Sequence, residues 1–210
     1  MNYILEISQG LYNVAIIFFS TLIVSIPLAS IIALVYVKEN KPLQKIVSFS
    51  TWIIKGTPLM LQLTFMMFGL PILLNMPFKN RLLVAVITFI INYTGYFISI
   101  FQNGLEIIPQ NQWDAAKMLN ISKSKTLFKI IYPQMFRNTL RTLENEAVTL
   151  LKDTALISTI ALSDILRNAK EILNRELSII PLIVVFIMYL LFSFLIIQCF
   201  KVLQRKVRLS

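Results

Sequence analysis

Long apolar stretches, separated by short polar segments, dominate the pattern of this chain. Runs without any charged residue occupy positions 7–37, 56–78, 82–105 and 177–200. Each run is longer than the roughly 20 residues that an α-helix needs to cross a bilayer. The pattern therefore predicts an all-helical protein with at least four membrane-spanning helices.

The composition is typical of a membrane protein and argues against several classes of function. Of the 210 residues, 57% are hydrophobic and 14% are charged, against roughly 45–50% and 25% in a soluble domain. Histidine is absent and Cys199 is the single cysteine, so we predict no metal site and no intrachain disulfide. The five glycines are too widely spaced for a phosphate-binding loop, so this chain is not expected to bind ATP.

The positions of the basic residues predict a fifth crossing. With four crossings, strongly basic segments would lie on both sides of the membrane, against the tendency of Lys and Arg to stay in the cytoplasm. A fifth helix at 143–163 leaves 14 basic residues inside and 5 outside, with Lys152 within the span. The N-terminus is then outside and the C-terminus is in the cytoplasm.

The predicted organisation is a single transmembrane domain over residues 1–210, in a polytopic membrane protein of five helices. The approximate spans are 11–37, 56–75, 82–102, 140–163 and 179–200, with a cytoplasmic loop at 103–139. The fourth span cannot face lipid because it carries Glu144, Glu146, Lys152 and Asp153. These charges either line a hydrated path or form a structural charge pair at the cytoplasmic end.

The cytoplasmic loop contains its own helical signals. Residues Gln112–Leu119 predict a short amphipathic helix, and Asn120 follows where a left-handed residue ends a helix. Ser122 is a candidate N-cap for a second, basic helix, which we expect to end near Tyr132-Pro133. The short helix is either an interfacial helix on anionic lipid or a docking element for a cytoplasmic partner.

Three segments carry a resemblance to a known family. Asp114-Ala-Ala-x3-Asn120-x9-Ile130-x-Tyr132-Pro133 resembles the "EAA" signature, E-A-A-x3-G-x9-I-x-L-P, of permease subunits of bacterial ABC importers. Lys55-Gly-Thr-Pro-Leu-Met-Leu-Gln-Leu63 resembles the R-G-T-P-L-L-V-Q-L segment of the polar amino-acid branch. Asn145-Glu-Ala-Val-Thr-Leu-Leu-Lys-Asp-Thr-Ala-Leu156 resembles the N-E-x-x-x-L-L-K-D-T-S-L segment of the same branch.

The resemblance implies a fold, partners and a location. The fold would be the type I permease fold of ABC importers, with five transmembrane helices and a cytoplasmic coupling helix, in the bacterial cell membrane. Partners would be a cytoplasmic ATPase dimer that binds ATP and Mg²⁺, an extracytoplasmic solute-binding protein, and a second copy of this chain or a homologous permease. The residues implied to contact the ATPase are Trp113, Asp114, Ala115, Ala116, Leu119 and Asn120.

The function implied is ATP-driven import of polar amino acids or closely related derivatives. Polar residues on the third and fourth helices are expected to face the substrate, and Gly56-Thr57-Pro58 is either a hinge or an ordinary helix start with Thr57 as N-cap. The family often has Glu where this chain has Ser99, which argues against a cationic substrate. The predicted pathway residues are Gly56, Thr57, Gln62, Asn92, Tyr96, Ser99, Lys152, Asp153 and Thr154.

Two other classes of function remain as alternatives. A stand-alone channel or secondary transporter would work without an ATPase. A membrane-embedded enzyme would need clustered acids with a metal, or a His or Cys nucleophile, and the chain has no such cluster. Nucleic acid is not an expected partner.

Overall fold

The computed structural model describes residues 3–38 and 40–209, and every regular element in these two ranges is helical. The prediction of an all-α protein is therefore confirmed. In chain order the α-helices are α1 (Tyr3–Ser8), α2 (Leu11–Ala33), α3 (Lys41–Gly56), α4 (Leu59–Thr64), α5 (Leu70–Leu74), α6 (Arg81–Glu106), α7 (Gln110–Met118), α8 (Lys123–Lys125), α9 (Tyr132–Asp153), α10 (Ile165–Glu176) and α11 (Ile180–Leu209). Tighter 3₁₀ turns cover Leu34–Lys38 and Thr154–Ile160, and wider π-helical turns cover Phe65–Gly69 and Thr126–Ile131.

Three helical stretches in the described ranges are long and apolar enough to cross a membrane. They are Tyr3–Val37, Arg81–Glu106 and Ile180–Val207, and the pair α3 and α4–α5 makes a fourth if it counts as one broken span. Three of the predicted spans, 11–37, 82–102 and 179–200, lie on these stretches. The chain is a membrane protein built around long apolar helices.

The predicted second span, 56–75, is joined to a helix that the sequence did not predict. α3 ends at Gly56, α4 begins at Leu59, and the two axes meet at 95°. Thr57 and Pro58 are extended, as the residue before a proline prefers to be. The hydroxyl of Thr57 donates to the carbonyl of Ile53 at 3.0 Å, at the end of α3. Thr57 is therefore not the N-cap of α4, and that alternative is wrong.

The short helix predicted in the loop at 103–139 is present as α7. Asn120 has φ of 58°, so the predicted left-handed residue after this helix is confirmed. The N–H groups of Asn120 and Ile121 donate to the carbonyls of Lys117 and Ala116, each at 3.0 Å. These two bonds form a Schellman motif, which ends α7 with its last carbonyls satisfied.

The second helix of the loop does not end at Tyr132-Pro133, and that prediction is wrong. Ser122 caps α8 as expected, but the helix then continues through the π-helical turn into α9. The N–H of Tyr132 donates to the carbonyl of Leu127, a bond one residue longer than in an α-helix. Pro133 then lies in the first turn of α9, where its missing N–H is not needed.

α9 buries an apolar face in the helix bundle and keeps its ionisable side chains partly or fully exposed. Leu143, Ala147, Leu150 and Leu151 are buried, whereas Lys152 is exposed and the three carboxylates are half-buried. On α6 the aromatic side chains of Phe89, Tyr93, Phe97 and Phe101 are fully buried. Spaced four residues apart, they form one stripe that fills the centre of the helix bundle.

A smaller cluster joins the N-terminal helix to α10. Arg175 pairs with Glu6 at 2.8 Å, and the hydroxyl of Tyr3 donates to Glu176 at 2.8 Å. This hydrogen bond and the adjacent Arg175 hold the pKa of the Glu176 carboxyl below its usual value. Gly10 lies directly against the backbone of Asp164 and Ile165, which leaves no room for a side chain.

We predict that Gly10→Ala destabilises the fold, because a Cβ at this position would overlap the backbone of Asp164. The cost is expected to be about 1–3 kcal/mol, as for other overpacked sites. Thermal unfolding of the purified protein in detergent measures it. Gly56→Ala is the matched control, because nothing lies within 4 Å of the added Cβ there. Equal unfolding midpoints for the two variants would contradict the close contact at Gly10.

Candidate functional site

A cleft of about 470 Å³ lies where three elements meet: the bend after α3, the middle of α6 and the last turns of α9. It is the place where polar groups from these elements converge on one space. Its polar lining residues are Lys55, Thr57, Asn92, Tyr93, Tyr96, Glu146, Thr149 and Asp153, and its other lining residues are Gly56, Pro58, Leu59, Met60 and Leu156.

α6 contributes an amide and two phenols to the cleft. Asn92 is 2% exposed, and its amide donates to Oε1 of Gln62 at 3.0 Å. The hydroxyl of Tyr93 donates to Oδ2 of Asp153 at 2.7 Å, which ties α6 to α9. Tyr96 lies one turn after Asn92 and lines the cleft beside it. Two of the three residues predicted on this face of α6 therefore lie in the cleft.

Gln62 fixes the bend after α3 by hydrogen bonds, although its side chain does not line the cleft. Its amide nitrogen lies 2.8 Å from the carbonyl oxygen of Ile54 and 2.7 Å from the hydroxyl of Thr57. Its carbonyl oxygen accepts from Asn92. This chain of hydrogen bonds connects the end of α3 through α4 to α6. Gln62 thus supports the cleft without lining it.

Three charged groups line the cleft: the ammonium of Lys55 and the carboxylates of Glu146 and Asp153. The Lys55 ammonium donates to the Ser99 hydroxyl at 3.0 Å. Ser99 does not line the cleft itself but is connected to it by this hydrogen bond. Among residues 3–37 and 40–207, no lysine or arginine nitrogen lies within 4.0 Å of either carboxylate; the ion pairs of this part of the chain involve Arg167 and Arg175. The cleft therefore presents both signs of charge.

Besides Gln62 and Ser99, which contact residues of the cleft without lining it, two further residues predicted for the pathway lie outside the cleft. Lys152 is exposed and does not line the cleft. Thr154 is fully buried, and its hydroxyl donates to the carbonyl of Leu151 at 2.6 Å. Both neighbour Asp153 in the sequence, but successive residues of a helix point in different directions.

Sequence reasoning left Lys55, Tyr93 and Glu146 out of the predicted pathway. Glu146 and Asp153 are seven residues apart on α9, which places them on one face of the helix, so their spacing was a usable signal. Nothing in the sequence distinguishes Tyr93 from the other aromatic residues of α6. Lys55 directly precedes the bend, and only the 95° angle turns it towards α6.

α7 presents a small surface next to the cleft-forming helices. Asp114, Ala115, Leu119 and Asn120 are exposed, and the side chains of Met118 and Leu119 are 89% and 74% exposed. Trp113 is half-buried against the main core. Ala116 is only 3% exposed, because it packs inside the chain itself. The expectation that both alanines face a partner therefore needs correction: Ala115 is accessible and Ala116 is not.

Solved structures share this fold. An amino acid ABC transporter crystallised with histidines matches 98% of this chain and 95% of its own, with a TM-score of 0.86 and 24% identity. The MetNI methionine ABC transporter in an inward facing conformation matches 97% of this chain and 95% of its own, with a TM-score of 0.69 and 12% identity. The fold is the type I ABC permease fold.

Sequence relatives cover most of the chain. The L-cystine transport system permease protein TcyB of Bacillus subtilis (strain 168) is 32% identical over 207 residues, covering 95% of this chain and 86% of the relative. The arginine transport system permease protein ArtQ of the same strain is 29% identical, covering 89% of this chain and 85% of its own length. The family described as "binding-protein-dependent transport system inner membrane component" matches residues 25–209. Fold, relatives and family model agree, and the chain belongs to this family of membrane transport components, whose members are permease subunits of ABC transporters rather than enzymes.

Proposed function

We propose that this chain is the permease subunit of an ATP-driven importer of amino acids, and that the amino acid passes through the cleft between α3, α6 and α9. The observation that carries the proposal is the presence of both an ammonium and two carboxylates around one polar space. Relatives named for transport of cystine, arginine and glutamine support an amino acid as the cargo.

The chemistry of the cleft suits a zwitterion. Asp153 is fixed by the Tyr93 hydroxyl through one carboxylate oxygen, so the other oxygen can accept the ammonium of an amino acid. Asn92 and Tyr96 supply neutral groups that donate or accept hydrogen bonds. A dry, uncharged cleft would leave the two charges of an amino acid unsatisfied, which costs several kcal/mol in an apolar medium.

We further propose five crossings, with the N-terminus outside and the C-terminus in the cytoplasm. α9 and the following 3₁₀ turn would form the fourth crossing, shielded from lipid by α6 and α11. This arrangement leaves 14 basic residues on the cytoplasmic side and 5 outside. A second copy or a homologous permease would complete the pathway, since a chain of five crossings is small for a complete pathway.

In this orientation α7 lies in the cytoplasm and docks the ATPase. Its exposed surface combines an acidic group, Asp114, with the small Ala115 and the apolar tip formed by Met118 and Leu119. A short helix of this kind fits into a groove with an apolar centre and a basic rim. An external solute-binding protein would deliver the amino acid to the other face.

The proposed topology predicts opposite results for two reporter fusions. A reporter that is active only in the cytoplasm should give signal after Ser210 and none after Lys170, which lies on α10 between the last two crossings. Reporter activity normalised to protein level in membranes is the measurement. Equal signals at the two sites would contradict the fourth crossing.

Docking through α7 predicts that Ala115→Arg disrupts the complex. The added bulk and charge fall on an exposed position of the docking surface, so binding should weaken by about tenfold or more. Co-purification of the ATPase, at an unchanged amount of permease in the membrane, measures this loss. Gln110→Arg adds the same side chain on a different face of α7 and serves as the control. If the Ala115→Arg variant still co-purifies with the ATPase, α7 is not the docking element, and the alternative of an interfacial helix is favoured.

The proposed cargo predicts that Asp153→Asn lowers uptake, because the amide keeps the size of the side chain but loses the charge that binds an ammonium. Charged hydrogen bonds of this kind contribute about 1.5–3 kcal/mol, so the loss should be about tenfold or more. Initial uptake of labelled L-cystine, L-glutamine and L-arginine into proteoliposomes containing the whole transporter measures it. Glu106→Gln removes a carboxylate at the exposed end of α6, outside the cleft, and is the control. If the Asp153 variant transports these amino acids as the control does, Asp153 does not contact the cargo.

A further inference from the structure

A second cavity lies between the 3₁₀ turn Leu34–Lys38 and the first half of α3, and it shares no lining residue with the cleft. Its volume is about 450 Å³, which is within the range of small-molecule sites. Every residue that lines it carries a polar group, two are cationic and none is acidic. We call this cavity the basic groove, and its lining residues are Tyr36, Lys41, Gln44, Lys45 and Ser48.

Hydrogen bonds join the two walls of the basic groove. The side-chain amide of Gln44 donates to the backbone carbonyl of Tyr36 at 3.3 Å. The hydroxyls of Tyr36 and Ser48 lie 3.0 Å apart, and one of them donates to the other. The hydrogen of the accepting hydroxyl is then available to donate to a ligand. Together with the ammonium groups of Lys41 and Lys45, it gives the groove the donors that an anion needs.

The positive charge of the basic groove is not matched by nearby acids. Among residues 3–37 and 40–207, no carboxylate oxygen lies within 4.0 Å of the Lys41 or Lys45 ammonium. In the sequence from 38 to 56, four lysines stand against one acid, Glu39. The segment that carries the groove is therefore strongly cationic and complements an anionic partner.

Large apolar side chains of α3 are exposed next to the basic groove. Phe49 and Trp52 are 61% and 69% exposed, and their stacked rings have centroids 5.9 Å apart. Phe49 follows Lys45 by one helical turn and Trp52 follows Ser48 by one turn, so this aromatic pair continues the line of the groove along α3. The other large apolar residues of α3 that are exposed are Leu43, Ile46 and Ile53.

The 95° bend after α3 places this helix along the membrane surface in the proposed topology. There the segment that begins at Pro58 crosses the membrane, and α3 precedes it on the cytoplasmic side. A helix close to perpendicular to a crossing segment runs close to parallel to the bilayer. Cationic groups beside exposed tryptophan and aliphatic side chains are typical of a helix at the interface, where the cytoplasmic leaflet presents anionic head groups.

We propose that the basic groove and the aromatic pair form a binding site for an anionic glycerophospholipid of the cytoplasmic leaflet. Lys41 and Lys45 bind the phosphate of its head group, and Phe49 and Trp52 lie against the upper part of its acyl chains. Phosphatidylglycerol fits this site better than phosphatidylcholine, because its head group has no cation of its own to neutralise the phosphate. The inference goes beyond amino-acid transport: it rests on the proposed side of α3 and not on the cargo.

Trp52 provides a probe within the proposed site. The whole transporter, permease with ATPase, is reconstituted in vesicles of equal amounts of phosphatidylglycerol and phosphatidylcholine, in which only one of the two lipids carries brominated acyl chains. Bromine quenches tryptophan fluorescence at short range, so the quenching of Trp52 reports which lipid lies next to it. The signal of Trp113, the other tryptophan of this chain, and of the ATPase is removed by subtracting the Trp52→Phe variant.

We expect brominated phosphatidylglycerol to quench Trp52 more strongly than brominated phosphatidylcholine, with a local enrichment of about fivefold or more. The double variant Lys41→Gln with Lys45→Gln should make the two quenching levels equal. Lys41→Arg with Lys45→Arg keeps both charges and should preserve the difference. The matched control, Lys123→Gln with Lys125→Gln, removes two exposed lysines of α8 outside the groove and should also preserve it.

Four results would overturn the assignment. Equal quenching of the unmodified protein by both lipids would show that α3 contacts lipid without selecting the head group, and an unchanged difference in the glutamine pair would show that the two lysines do not select it. Absence of quenching by either lipid would mean that protein, such as a second permease, covers this face of α3. Loss of the difference with inorganic phosphate, beyond the effect of chloride at equal ionic strength, would assign the groove to a free anion. The measurement needs no transport, so uptake assays test the proposed function separately.

Discussion

The proposed five-crossing topology depends on keeping one polar helix, α9, inside the membrane without exposing it to lipid. α9 carries three carboxylates and a lysine, yet its apolar face is buried against α6 and its end is held by the 2.7 Å bond between Tyr93 and Asp153. Hydrocarbon offers no partner for a charge, so these groups must face protein, water or cargo. Once α9 is placed in this way, a polar cleft beside it follows.

The break after α3 gives this cleft its second wall. Pro58 lacks an N–H and Thr57 is extended, so the helix cannot continue, and the freed groups at the bend are satisfied by Gln62. Gln62 in turn accepts from Asn92, so the bend is tied to α6. Irregular backbone inside a membrane protein is tolerated where protein groups satisfy it and where it lines a cavity.

α7 is connected directly to the two long helices that line the cleft, α6 and α9. α7 follows α6 after three residues, and the helical stretch that begins at α8 continues into α9. The Schellman end of α7 and the capped start of α8 make this connection compact. In the proposed importer, a shift of α7 on an ATPase would therefore act directly on both walls of the cleft.

The sequence by itself determined the features that depend on neighbouring residues. It predicted the all-helical class, the apolar stretches, the left-handed Asn120 after α7 and the cap at Ser122, because hydropathy and backbone preferences act locally. The tertiary structure decided where side chains meet. The burial of Ala116, the passage of the helix through Pro133 by a wider turn, and the contact of Lys55 with Ser99 depend on packing between elements distant in the chain. Local patterns place a residue on a helix, but only the neighbouring helices determine which of its faces is buried and which charge it meets.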